Sequence, residues 1–148
     1  MFRNILVPTD GSALSRKAVK QAVRLAKEQG ARVTGYYVGP SWNPKVNSED
    51  SIAYRVMTPR QHTENVEKTA ERVLDDVRRE AKKAGVTCKC AFGMHDYPYI
   101  KIVEAADRNR CDLIFMATHG RRGISRLLLG SETSKVLAHS KVPVLVCR

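Results

Sequence analysis

The chain has 148 residues, 43% of them hydrophobic and 28% charged, with a formal net charge of +11. That length suits one domain with a real core, spanning residues 1–148, and that composition excludes the disordered and fibrous classes. No apolar run nears the roughly 20 residues of a membrane span, and the opening Met1–Pro8 runs directly into a strand rather than a signal-peptide core, which predicts a cytoplasmic protein.

Phe2–Pro8 reads as the first strand. Ser12 is placed to cap the helix that follows, whose Leu14, Ala18, Ala22 and Leu25 share a face before Gly30 ends it. On the same helix Arg16, Lys20, Arg24 and Lys27 form a same-sign stripe that costs some stability through repulsion. Two readings of the stripe are open: a plain solvated face, or a docking face for an acidic protein, nucleic acid or anionic lipid. Arg32–Val38 reads as the second strand. Gly39 to Met57, carrying Pro40, Trp42 and Pro44, shows no clear period, and loops of this length are usually functional or mobile.

The longest helix runs over the pattern Thr58 to Ala84, with Val66, Ala70, Val73, Val77 and Ala81 on its buried stripe and Gly85 closing it. Glu64 with Lys68, and Asp75 with Arg79, stand at pairing distance, so its outer face reads as solvated. Val86–Phe92 reads as the third strand, in which Cys88 and Cys90 point to one side. Together with Cys111 and Cys147 they lack C-x-x-C spacing and read as buried free thiols. Asp96 is placed to cap the next helix, with Pro98 in its first turn and Ile100, Val103 and Ala106 facing inward. Asp112–Ala117 reads as strand four, Ser131–His139 as a short helix, and Val142–Cys147 as strand five.

Strands alternating with helices predict an α/β fold, a parallel sheet covered on both faces. Such a sheet binds ligands outside the carboxyl ends of its strands, where the strand order reverses. With strands one and four adjacent, that crevice is lined by Pro8–Ser12 and Ala117–Gly120. The stretch Met116–Ser131 reads as a phosphate cradle: small residues at Ala117, Gly120 and Gly130 let the backbone approach a ligand, and Gly130-Ser131 opens a helix whose N–H groups face any anion placed there.

Three segments, Ile5-Leu-Val-Pro-Thr-Asp-Gly-Ser12, Ala117-x2-Gly120-x9-Gly130-Ser131 and Val142-Pro-Val-Leu-Val146, follow in an order that strongly resembles the universal stress protein family over essentially the whole chain. The resemblance to its nucleotide-binding branch implies a single-domain Rossmann-like, adenine nucleotide alpha hydrolase-like sandwich with a five-stranded parallel sheet of order 3-2-1-4-5 and helices on both faces. It also implies ATP as ligand, with Mg²⁺ carried by the phosphates, and a homodimer. Carried over residue by residue, Gly120, Gly130 and Ser131 would contact phosphate and ribose, Pro8, Thr9 and Asp10 would border the adenosine, and Val38 would meet the adenine. Met116 and Ala117 would flank the ligand at the end of strand four, and Glu132 and Thr133 would add backbone N–H groups. The departure is Ala117 at the motif's first glycine: one methyl group is tolerated where φ is negative and costly where φ must be positive.

Several side chains keep two readings. Asp10 has a ligand role, accepting from ribose or base groups or engaging the Mg²⁺, and a structural role in the turn that ends strand one, and the two can coexist. Arg122, with Arg121 and Arg126, either reaches the outer phosphates or is solvated. Ser131 is placed to cap the last helix with or without a ligand, and Leu127–Leu129 reads as a packing anchor for the loop. His62, His95, His119 and His139 share no metal spacing and read as structural or solvent histidines, with no catalytic or metal residue assigned.

A binding protein is thus the first reading, an ATP-binding homodimeric regulator linked to stress. The enzyme alternative is ATP hydrolysis or adenylyl transfer, and only slow turnover is expected of it, since the chain has no G-x4-G-K-S/T loop and no evident carboxylate to orient water within the cradle. A nucleotide-free interaction module with an acidic protein partner on the basic first helix is another. Nucleic-acid binding is disfavoured because no aromatic stacking platform accompanies the charge. Strand five, Val142–Cys147, would lie at a sheet edge and pair with its twin across a two-fold axis.

Overall fold

A computed structural model describes residues 1–43, 57–119 and 129–148. Nine elements follow one another: β1 (Asn4–Pro8), α1 (Ala13–Gln29), β2 (Arg32–Gly39), α2 (Pro59–Ala84), β3 (Cys88–Met94), α3 (Pro98–Arg108), β4 (Leu113–Ala117), α4 (Ser131–His139) and β5 (Val144–Cys147). The strands pair in parallel in the order β3-β2-β1-β4-β5, the expected topology. β1 and β4 are buried at every position, which is why they read as unbroken apolar runs instead of alternating ones.

Alternation divides the core into two layers. Ile5, Val7, Leu113, Phe115 and Ala117 pack with α1 and α2 on one face, while Leu6, Ile114 and Met116 pack with α3 and α4 on the other. Leu6 is fully buried, a placement worth roughly 2–3 kcal/mol over an exposed one. The amino edge is tied by Asp112, whose carboxylate accepts from the backbone N–H groups of Arg3 and Asn4 at 2.8 and 3.0 Å.

Local chemistry sets most helix ends as expected. Ser12 Oγ accepts from Ser15 N, and Gly30 and Gly85 close α1 and α2 at φ of 64° and 70°, where a Cβ is disfavoured. Thr58 and Gln61 form a reciprocal cap on α2, and all five expected stripe residues of that helix are buried, joined by His62 and Leu74.

Other expectations are corrected. The buried face of α1 is Ser15, Ala18, Val19, Ala22, Val23 and Ala26, with Leu14 and Leu25 half-buried at its margins. Asp96 does not cap α3: Tyr97 precedes that helix without a side-chain cap, and Asp96 instead accepts from Ser41 N at 3.2 Å. Ile102, Ala105 and Ala106 form the inward face of α3, while Ile100 and Val103 are half-buried. β3 lies two residues further along than Val86–Phe92, and β5 begins only at Val144, after Pro143, which lacks the N–H a ladder needs. Glu64 pairs with Arg60 rather than Lys68, whereas Asp75 and Arg79 do pair, at 3.1 Å. Cys111 and Cys147 are buried free thiols whose pKa burial pushes up, but Cys88 and Cys90 are only half-buried.

Candidate functional site

The order reverses between β1 and β4, which pair through Ile5 with Leu113 and Leu6 with Ile114. Their carboxyl ends therefore open side by side, and β2 ends beside them with Val38 and Gly39. Three chain exits come together at the reversal, where this fold type places its ligand crevice.

At the β1 exit, buried Thr9 donates its backbone N–H to Tyr36 O at 2.9 Å and accepts at Oγ1 from Gly11 N at 3.2 Å. Gly11 takes a φ of 78°, which a side chain would oppose. Asp10 Oδ1 accepts from Ser12 N at 2.9 Å and from Ser15 Oγ at 2.8 Å. Its carboxylate thus builds the turn into α1, the second of its two readings. Pro8, one residue earlier, is the last residue of β1 and is buried.

At the β4 exit, Ala117 is the last strand residue and its φ is not positive. Its methyl belongs to the core layer of α1 and α2, whereas α4 contributes Val136 to the opposite layer with Met116. The added methyl therefore fills core on the side away from α4. Beyond it, the Thr118 carbonyl accepts from Gly130 N at 2.8 Å and from Thr133 Oγ1 at 3.1 Å, and the Ala117 carbonyl accepts from the same hydroxyl at 3.1 Å. A Cβ added at Gly130 would lie 3.0 Å from that Thr118 oxygen, so a glycine lets the two backbones meet.

These contacts fix the start of α4 at the mouth of the crevice. Its N-cap is Gly130, with no side-chain cap, and Ser131 is the first helical residue instead of the expected cap. The other helices differ: Ser12 serves α1, Thr58 serves α2, and Glu132 Oε2 accepts from Tyr99 N at 2.9 Å at the start of α3. Glu132 and Thr133 thus carry side-chain roles that their residue types did not announce, since both partners lie 15 or more residues away in sequence. His119 Nδ1 lies 3.1 Å from Thr118 Oγ1, and His62 Nε2 lies 2.8 Å from Pro40 O, both local structural contacts.

Gly120 and Arg122, with Arg121, Arg126, Leu127 and Leu128, lie outside the described residues. Leu129 is 46% exposed and is not a packing anchor. Among the described residues no group of three or more His, Cys, Asp or Glu is arranged to hold a metal, and no helix is long and apolar enough to cross a membrane. A groove between α1 and α2 is lined by Arg16, Arg72 and Arg79 with Glu71, Asp75 and Asp76. Its charges are largely spent on one another, through Arg78 with Glu71, Arg79 with Asp75, and Arg79 with Asp76.

The same architecture recurs in known proteins. The chain is 32% identical over 148 residues to universal stress protein MJ0531 of Methanocaldococcus jannaschii, covering all of this chain and 83% of that protein. It is 31% identical over 152 residues to universal stress protein YxiE of Bacillus subtilis, covering both chains completely. Among solved structures, hypothetical protein MJ0577 superposes with a TM-score of 0.81 at 25% identity over 99% of this chain and 95% of its own. Two further universal stress proteins share the fold and were solved with adenine nucleotides. One, bound to cAMP, has a TM-score of 0.65 at 24% identity, covering 99% and 97% of the two chains. The other, from Archaeoglobus fulgidus and bound to dAMP, has a TM-score of 0.66 at 17% identity, covering 99% and 98%. A family model described as the universal stress protein family matches residues 1–148, and with the sheet order and the crevice at its reversal this chain belongs to that family.

Proposed function

We propose that the crevice between β1 and β4 binds ATP, with Mg²⁺ carried by the phosphates, and that the protein acts in the cytoplasm as a homodimeric stress regulator that holds the nucleotide instead of turning it over efficiently. The observation that carries this reading is the start of α4, which has no side-chain cap and is pinned by Gly130 and Thr133 against the β4 exit. The leading N–H groups of a helix in that setting suit an anion. The cAMP and dAMP complexes of two family members support an adenine nucleotide as ligand class.

The residues fit such a ligand. Ala117 places its methyl in the opposite core layer, so it leaves the α4 side clear. Ser131, Glu132 and Thr133 would offer backbone N–H groups to phosphate, Pro8, Thr9 and Asp10 would border the nucleoside, and Val38 and Met116 would flank it, while Gly120 completes the motif in sequence and Arg122 would serve the outer phosphates. The bound Mg²⁺ would screen charge between phosphate oxygens. Asp10 Oδ1 accepts from Ser12 and Ser15, so Asp10 also holds the β1 exit in shape.

A homodimer would form through β5, an edge strand that carries exposed Leu145, with Leu137 exposed on α4. The alternative of a nucleotide-free module on α1 has less support, because Arg24 is paired with Glu28 at 3.0 Å and Arg16 donates to Gly11 O at 2.9 Å.

Mass spectrometry of freshly purified, gently denatured protein tests the reading. A copurified adenine nucleotide is expected. Protein free of nucleotide that also fails to retain added Mg-ATP would reject it.

A further inference from the structure

The edge strand at the opposite end of the sheet carries chemistry that the crevice does not use. Cys88 and Cys90 stand two apart on β3, on the face covered by α2, and their sulfurs lie 3.9 Å from each other. Both are free thiols and half-buried, unlike the enclosed Cys111 and Cys147. The space for the second sulfur exists because residue 35 is glycine: a Cβ there would lie 3.0 Å from Cys90 Sγ and 3.1 Å from Val77 Cγ1. The Leu74 carbonyl, 3.9 Å from Cys90 Sγ, closes the other side.

Two sulfurs at this spacing match the bite of one metal ion. With metal–thiolate bonds of about 2.3 Å, a separation of 3.9 Å corresponds to an angle of about 116° at the ion, and rotation of the two side chains about their Cα–Cβ bonds opens it toward the near-linear arrangement that an ion with two thiolate ligands takes, with no movement of the strand. A disulfide would instead require the sulfurs to close to about 2.05 Å across residues whose spacing in an extended strand is near the upper limit for a bridge.

We propose that Cys88 and Cys90 form a two-thiolate site for a monovalent copper ion at the β3 edge. Thiolates select soft ions, and a structural zinc site needs four ligands, whereas among the described residues no third His, Cys, Asp or Glu joins this pair. One copper(I) ion displaces two thiol protons to the buffer and forms two Cu–S bonds without any change of oxidation state. The resulting complex carries one net negative charge.

The test titrates fully reduced protein, under anaerobic conditions, with copper(I) held by the coloured competitor bicinchoninate. One equivalent of copper should leave the competitor, with a copper first shell of sulfur by X-ray absorption on the unaltered protein. Cys88→Ser and Cys90→Ser should each weaken binding by more than about 100-fold, while Cys111→Ser withdraws the same single equivalent as the parent. The proposal is overturned if the parent withdraws no copper, if the shell consists of nitrogen or oxygen, if either β3 variant binds as tightly as the parent, or if equimolar zinc displaces the copper.

Discussion

The carboxylate of Glu132, in the first turn of α4, accepts a hydrogen bond from the backbone N–H of Tyr99, in the first turn of α3, at 2.9 Å. One helix start thereby closes another, and the negative charge lies favourably close to both positive helix ends. The same side chain lies 3.4 Å from Lys135 Nζ, which in turn sits 5.5 Å from the ring centres of Tyr97 and Tyr99. Replacing Glu132 with Ala should cost about 1 kcal/mol, read as a lower urea midpoint at unchanged slope. An unchanged midpoint would mean that the contact contributes nothing.

Thr133 is 3% exposed, and its hydroxyl is shared by the Ala117 and Thr118 carbonyls. Thr133→Val preserves the shape and removes the donor the two carbonyls share, leaving Thr118 O its bond from Gly130 N, so a loss of about 1–2 kcal/mol is expected in chemical denaturation, with Thr133→Ser losing less. A larger loss for Thr133→Ser than for Thr133→Val would show that the methyl group, and not the hydroxyl, matters.

Tyr36 is 8% exposed, and burial first, then the charge of Glu104, raises its phenol pKa above 10.0. A raised folded-state pKa contributes stability that is complete below the unfolded value and is lost as pH rises through the folded one. The melting temperature of the parent should therefore fall, relative to Tyr36→Phe, from pH 10 upward. A constant difference between the two proteins across that window would contradict the assignment.

Leu145 is 38% exposed on β5, at the open edge of the sheet. If β5 pairs with its twin, Leu145→Glu places two like charges near the symmetry axis and should shift the protein from dimer to monomer by light scattering. A variant that stays dimeric would move the interface elsewhere.

The readable parts of the fold were those set by neighbours in sequence. Gly30, Gly85, Ser12 and the span of α4 follow from residues within one turn, and the strand order follows from apolar runs and the resemblance. The start of α3 was illegible for the opposite reason. Asp96 two residues before Pro98 looks like a cap, yet Ser41 claims its carboxylate and Glu132, 33 residues from Tyr99, takes its place. At the site, the sequence marked Gly130 as a close-approach position, but not its partner Thr118, and left open the sign of φ at Ala117. The layer that receives the Ala117 methyl is a property of the pleat, decided only when β4 takes its place against β1.

Thermal melting with and without Mg-ATP tests most directly whether the uncapped start of α4 serves a nucleotide. A ligand that binds only the folded state at 100 times its Kd adds about 2.7 kcal/mol, so a rise of roughly 5–10 °C is expected for a domain of this size. An unchanged melting temperature at millimolar Mg-ATP would contradict the account.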